Sequence, residues 1–213
     1  MKKIVILCAG DFGKEVAWLI EDINKKSPTY DLLGYLDDNP DKIGYTYNGY
    51  KCLGSIEELD ILNKENDVYA VIAIQDSRFR KRFVEMFPKY SNWETLIHPS
   101  VNISDTSELG KGCIVCANCN ISVNTVIGNQ VIMNLGVTVG HDCEVGDYVS
   151  LMSGTIISGH VKIGDEAYFG SHSTVLPAKK VGKRSKVGAG SVVIRNVKDD
   201  VSVMGVPAKV LKI

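Results

Sequence analysis

A chain of 213 residues holds one large domain or two small ones. Its 45% hydrophobic and 23% charged content belongs to a folded globular protein and excludes a disordered one. A net charge of −1 excludes a global pull toward nucleic acid or an anionic membrane, and no apolar run is long enough to insert across a bilayer.

The first nine residues imitate a signal peptide. Asp11, Lys14 and Glu15 follow at once, so the apolar stretch is too short, and residues 3–9 read as a buried strand. With no export signal, the six cysteines read as reduced thiols of a cytoplasmic protein. Gly10-Asp11-Phe12-Gly13 is a turn. Residues 14–24 form a helix with Val16, Leu19, Ile20 and Ile23 on one face. Residues 32–36 make a second strand, ending in Asp37-Asp38-Asn39-Pro40. Residues 68–74 make a third, followed by Gln75-Asp76-Ser77 and a basic helix from Arg78. This is a Rossmann-like βαβ plan with a small parallel sheet, spanning residues 1–96. Loops at the carboxyl ends of such strands bind nucleotides, which singles out Gly10 to Gly13, Asp37-Asp38 and residues 74–77. A helix start after Gly13 suits a phosphate, and an acid after the second strand suits ribose hydroxyls. The full Gly-x-Gly-x-x-Gly fingerprint is absent, which argues against bound NAD.

Residues 97–198 carry an unbroken six-residue repeat. Stepping by six from Ile97 meets Ile103, Leu109, Val115 and so on to Val193, and every position is apolar. The next residue is Gly in eight of the units, and the residue four after the apolar one is small or apolar everywhere except Lys179. Six residues make one short strand and one tight corner, and three such units close a triangular coil of eighteen. The large aliphatic side chain points into the prism and the small one fills the corner. Stacked coils share one core, which predicts a left-handed parallel β-helix. Cys113, Cys116 and Cys119 resemble a metal signature, but Cys113, Cys119 and Cys143 fall on the small inward position and read as core. Residues 199–213 form a C-terminal tail. From Lys179 onward there are nine basic and two acidic residues, which suits either phosphates of a bound nucleotide or a solvated basic face.

His98 precedes Pro99 at the junction and reads as structural. His141 lies two positions past the inward Val139, at a corner or outer face, and Asp142 follows it. His160 comes nineteen residues later, one coil plus one residue, which predicts that it lies near His141 on the next coil. A neutral imidazole beside a carboxylate is a general base near neutral pH. The other reading is an exposed polar patch of the repeat surface. A β-helix hydratase would need three histidines converging on zinc, and the spacing of His172 does not fit that.

The pieces Ala9-Gly10-Asp11-Phe12-Gly13-Lys14-Glu15-Val16, Gly34-Tyr35-Leu36-Asp37-Asp38-Asn39, Leu96-Ile97-His98-Pro99-Ser100, Val139-Gly140-His141-Asp142-Cys143-Glu144 and Gly205-Val206-Pro207-Ala208-Lys209 occur in an order that resembles the bacterial sugar O-/N-acyltransferase family. That family belongs to the hexapeptide-repeat acyltransferases. It includes sialic acid O-acetyltransferases and N-acetyltransferases of 4-amino-4,6-dideoxy nucleotide sugars. The resemblance implies that His141 is the general base, oriented by Asp142, and that the Gly159 N–H binds the oxyanion. It implies acetyl-CoA as co-substrate, with its pantetheine arm near Ser171 and Ala189, and no metal. It places the nucleotide of the acceptor on Gly10, Asp11, Phe12, Asp37, Asp38 and Gln75, and it implies a homotrimer with sites between neighbouring β-helices. Amino-sugar N-acetylation is the expected reaction, with sugar O-acetylation, a metal-dependent hydratase and a non-catalytic binding protein as alternatives. The chain departs from the family at three places. Gly10-Asp11-Phe12 stands where Gly-Gly-His is frequent, Ser150 stands nine residues after the base where a second histidine is frequent, and Gln75 replaces a usual Gly.

Overall fold

The apolar run Ile4-Val5-Ile6-Leu7 has no exposed surface, as a strand covered on both faces requires. The computed structural model describes residues 1–211, apart from the side chains of Glu65 and Asn66; Lys212 and Ile213 of the expected tail lie outside them. The chain divides into two units, Met1–Pro99 and Ser100–Ile213.

In the first unit, strands β1 (Lys2–Leu7), β2 (Tyr30–Leu36), β3 (Thr46–Tyr47), β4 (Tyr50–Gly54) and β5 (Tyr69–Ile72) form a sheet in the order β3-β4-β2-β1-β5. All neighbours run parallel except the β3/β4 hairpin. Helices α1 (Asp11–Lys26), α2 (Leu59–Asn66) and α3 (Ser77–Met86) complete it. α1 buries Val16, Ala17, Leu19 and Ile20. It begins at Asp11, so Asp11 to Gly13, expected as a turn, form its first turn; Gly13 packs there because a Cβ would collide with the Cys8 carbonyl oxygen. The hairpin turns on Asn48-Gly49, both with positive φ (+48° and +84°), the pairing a two-residue turn demands. Neither the hairpin nor α2 was expected from the sequence.

The second unit is a left-handed parallel β-helix. Two-residue strands recur every six residues from Asn102–Ile103 to Val192–Val193. Each pairs in parallel with the strand eighteen residues away; Asn120, for example, faces Asn102 on one side and Thr138 on the other. Three ladders result, one per face of the prism. The repeat positions from Val115 to Val193 are buried and form one continuous cluster, with Ile103 and Leu109 partly buried at its open end. Ile97 keeps the expected phase, on a strand Leu96–Ile97 six residues before Asn102–Ile103; as the first repeat position it is 36% exposed, while its neighbour Leu96 is buried. In the tail, Ser202–Met204 adds to the Lys186–Val187 strand, and Lys209–Val210 pairs with it antiparallel.

The small inward residues form a second, polar ladder inside the corners. Cys113 Sγ donates to the Gly128 carbonyl at 3.2 Å, Cys119 to Asn134 at 3.1 Å and Cys143 to Ser158 at 3.1 Å. Thr125 Oγ1 does the same to Gly140 at 2.8 Å. Each partner lies fifteen residues on, so a small donor at this position ties one coil to the next. This explains the run of cysteines as packing. No disulfide joins the six cysteines among the described residues.

Because the core is one stack, a cavity in it weakens both neighbouring coils. Ile157→Ala, at a position with no exposed surface, is expected to lower unfolding free energy by about 2–5 kcal/mol. Denaturant titration followed by circular dichroism checks this, and an unchanged midpoint would contradict the assigned phase.

Candidate active site

The expected base lies at the corner after strand Thr138–Val139. Val139 is buried, so the chain must turn outward after it, and His141 and Asp142 emerge on the surface. Gly140 lies so close to the next coil that a Cβ would sit 2.7 Å from the Gly159 nitrogen. That contact fixes the height of the turn. With Nδ1 protonated, His141 donates to Asp142 Oδ2 at 2.8 Å, which leaves the lone pair on Nε2. Asn124, eighteen residues before Asp142, donates from Nδ2 to the other carboxylate oxygen at 3.1 Å. The hydrogen bond from His141, followed by that from Asn124, holds Asp142 below the usual carboxylate range. The carboxylate therefore stays ionised as a fixed acceptor.

Gly159 lies under the His141 ring. A Cβ there would be 2.5 Å from Nε2, so the imidazole occupies space that only glycine leaves free. The Gly159 carbonyl accepts from Ala178 N–H. His160 packs edge-on against His141, with ring centroids 4.9 Å apart at 89°, as the one-coil-plus-one spacing predicts. His172 is elsewhere: its Nδ1 lies 2.5 Å from where a Cβ of Gly154 would be. His98 Nε2 lies 3.4 Å from Asp22 Oδ2 in the first unit. Cys143 is buried, and burial pushes its thiol up, which disfavours it as a nucleophile.

Ser171 and Ala189 stack one coil apart, but they follow strands Tyr168–Phe169 and Lys186–Val187, on another face of the prism. They are thus at a different corner from His141 and Gly159. Both are exposed.

In the first unit, Gly10, Asp11, Phe12, Asp37, Asp38 and Gln75 all line one cleft of about 600 Å³ at the carboxyl ends of β1, β2 and β5. Asp37 and Asp38 are already engaged. Asp37 accepts from Ala9 N–H at 2.8 Å, Asn39 N–H at 3.0 Å and Lys42 Nζ at 2.8 Å. Asp38 accepts from Ile56 N–H at 2.9 Å. Burial opposes ionisation of Asp37, but the Lys42 ammonium and the two N–H groups outweigh it and hold the carboxyl below its ordinary value. Beside it, Cys8 has a φ of +82°, and burial first, then the Asp37 charge, pushes its thiol up to about 12. Sequence reasoning missed Asn124 and Lys42. One coil spacing pointed to Asn124; nothing in the sequence marked Lys42.

The PglD N-terminal domain model matches residues 3–87, the bacterial transferase hexapeptide model residues 142–177, and the succinyl-transferase hexapeptide model residues 160–195. No curated protein matches significantly by sequence alone. The acetyltransferase domain of PglB from Neisseria gonorrhoeae, solved with acetyl coenzyme A, is 30% identical, with each chain covered to 99% and a TM-score of 0.90. WeeI from Acinetobacter baumannii is 31% identical over 99% of this chain and 100% of its own, with a TM-score of 0.88. The chain belongs to the bacterial sugar O-/N-acyltransferase family. It is an acyltransferase of the hexapeptide-repeat type. A histidine variant of perosamine N-acetyltransferase from Caulobacter crescentus, solved with CoA and GDP-perosamine, is 28% identical over 100% of this chain and 98% of that one, with a TM-score of 0.89. No helix among the described residues is long and apolar enough to cross a membrane.

The Asp37 cluster makes a pH prediction for this acyltransferase. A depressed folded-state pKa contributes stability that is present above the unfolded value, about 3.9, and is lost as pH falls through the folded one. Asp37→Asn is expected to cost about 1–3 kcal/mol at pH 7. The gap to wild type closes as pH falls below about 4. Urea titrations at pH 7 and pH 3 measure it; an equal gap at both would contradict the ion pair.

Proposed function

We propose that the protein transfers the acetyl group of acetyl-CoA to the amino group of a nucleotide-linked sugar of the 4-amino-4,6-dideoxy type. The observation that carries this reading is His141, with Nδ1 tied to Asp142 and Nε2 over Gly159. The cleft at Gly10, Asp11, Phe12, Asp37, Asp38 and Gln75 supports a nucleotide-linked acceptor, with the diphosphate near Lys42 and the start of α1. The amine acceptor is favoured over a sugar hydroxyl because the perosamine enzyme, a structural neighbour, is an N-acetyltransferase.

The acceptor nitrogen attacks the thioester carbonyl carbon, and the carbonyl π electrons move onto oxygen. His141 Nε2 takes the proton from nitrogen, and Asp142 stabilises the imidazolium that forms. The Gly159 N–H donates to the oxyanion, a contribution of about 10²–10³ in rate. Collapse breaks the C–S bond, and the imidazolium proton passes to the departing thiolate. The amide product and free CoA leave the base as it began. Both co-substrates are water-soluble metabolites, which suits the cytoplasm.

Ser171 and Ala189 occupy a different corner from His141, so a pantetheine arm along them reaches the base of a neighbouring copy more directly than its own. This supports a homotrimer with shared sites. His141→Ala is expected to bind CoA normally and to lose about 10²–10⁴ in turnover. Ala189→Trp, which blocks the arm, is expected to be inactive with its base intact. Assemblies mixed from the two variants should regain activity in a chromatographic assay of acetylated sugar. Activity that survives His141→Ala would sink the base, and no recovery on mixing would sink the shared site.

A further inference from the structure

His160 takes no part in the chemistry above, yet it stands against the base. Asp142 Oδ2 lies between two imidazoles, 2.8 Å from His141 Nδ1 and 3.9 Å from His160 Nε2. We infer that His141, Asp142 and His160 also form a binding site for a divalent transition-metal ion of the Zn²⁺ class, and that the ion inhibits transfer by occupying the base.

One donor atom from each of the three residues lies within 4.8 Å of the others. Ligands on one tetrahedral ion, with bonds of about 2.0–2.1 Å, sit about 3.3 Å apart. Closing the difference takes a shift of about 1.5 Å or less, which is a small turn of a side chain. The His141 and His160 side chains are 52% and 61% exposed, so both have room to turn. Asp142 is held from behind: its other oxygen accepts from Asn124, the arrangement that orients a carboxylate ligand. Two imidazole nitrogens and one carboxylate oxygen suit Zn²⁺, Co²⁺, Ni²⁺ or Cu²⁺; Mg²⁺ and Ca²⁺ prefer a shell of oxygens. Water from the open side fills the remaining position.

Inhibition follows from the electron count on His141. A metal ion takes the lone pair of one ring nitrogen in a coordinate bond, and the other nitrogen carries the proton. No lone pair then remains to accept a proton from the acceptor amine. This inhibition rests on His141 being the base, whereas the binding does not.

His160 has a φ of +60°, a conformation that Asn tolerates, so His160→Asn removes the ligand and keeps the corner. Metal-stripped full-length protein is titrated with ZnCl₂ against a chromophoric chelator, and turnover is followed by chromatography of the acetylated sugar. The wild type is expected to bind Zn²⁺, to lose activity with the same concentration dependence and to recover with EDTA, while Mg²⁺ has no effect. His160→Asn is expected to keep its metal-free rate within about twofold and to bind Zn²⁺ at least about tenfold more weakly. Equal affinity in the two proteins, or no binding to either, would overturn the site. Binding that depends on His160 but leaves turnover unchanged would overturn the inhibition. In that case the His141→Ala kinetics show separately whether the base assignment has failed.

Discussion

Backbone hydrogen bonds between coils, repeated at a strict eighteen-residue register, hold everything else in position. Each two-residue strand of the β-helix is too short to be stable alone, and its N–H and C=O groups are satisfied only by the coils before and after it. The aliphatic stack from Val115 to Val193 supplies the driving force, at about 1.5–3 kcal/mol per fully buried side chain. The hydrogen bonds set its spacing. Corner donors such as Cys143 and Thr125 lock that spacing from inside.

The site is a consequence of this register. Asn124 lies one coil before Asp142, and Gly159 lies one coil after His141, so three successive coils each contribute to one corner. None of these residues belongs to the core, yet their backbone is held, because the buried residues beside them fix it. That division suits the proposed catalysis: a rigid scaffold holds the His141 imidazole open to solvent. Ser171 and Ala189, at a different corner, mark a second exposed surface of the same prism.

Much of this was legible in the sequence, for physical reasons. A period of six that holds phase over sixteen steps reports the packing of every coil, so the core, the inward cysteines and the proximity of His141 to His160 followed from counting. Counting also placed Ile97 on the first strand of the series, where it is 36% exposed because it begins the stack. The same counting located Asn124 in principle, since any residue eighteen before Asp142 must lie beneath it. The first unit has no such ruler. Three of its five sheet strands and the three candidate loops were visible from apolar runs and turn residues, and all six expected residues line one cleft. The Asn48-Gly49 turn carried a hairpin signal, but the strands beside it, of two and five residues, are too short to show a clear alternation. The engagement of Asp37 by Lys42 depends on how a loop folds back, which no periodicity encodes.

The most direct measurement is the position of the transferred acetyl group. The protein is incubated with ¹³C-acetyl-CoA and a nucleotide-linked 4-amino-4,6-dideoxy sugar that carries free hydroxyls, and the product is examined by NMR. The account predicts a single amide at the amino group, with stoichiometric release of CoA. An acetyl ester on a hydroxyl, or no transfer to any nucleotide-linked amino sugar, would contradict it.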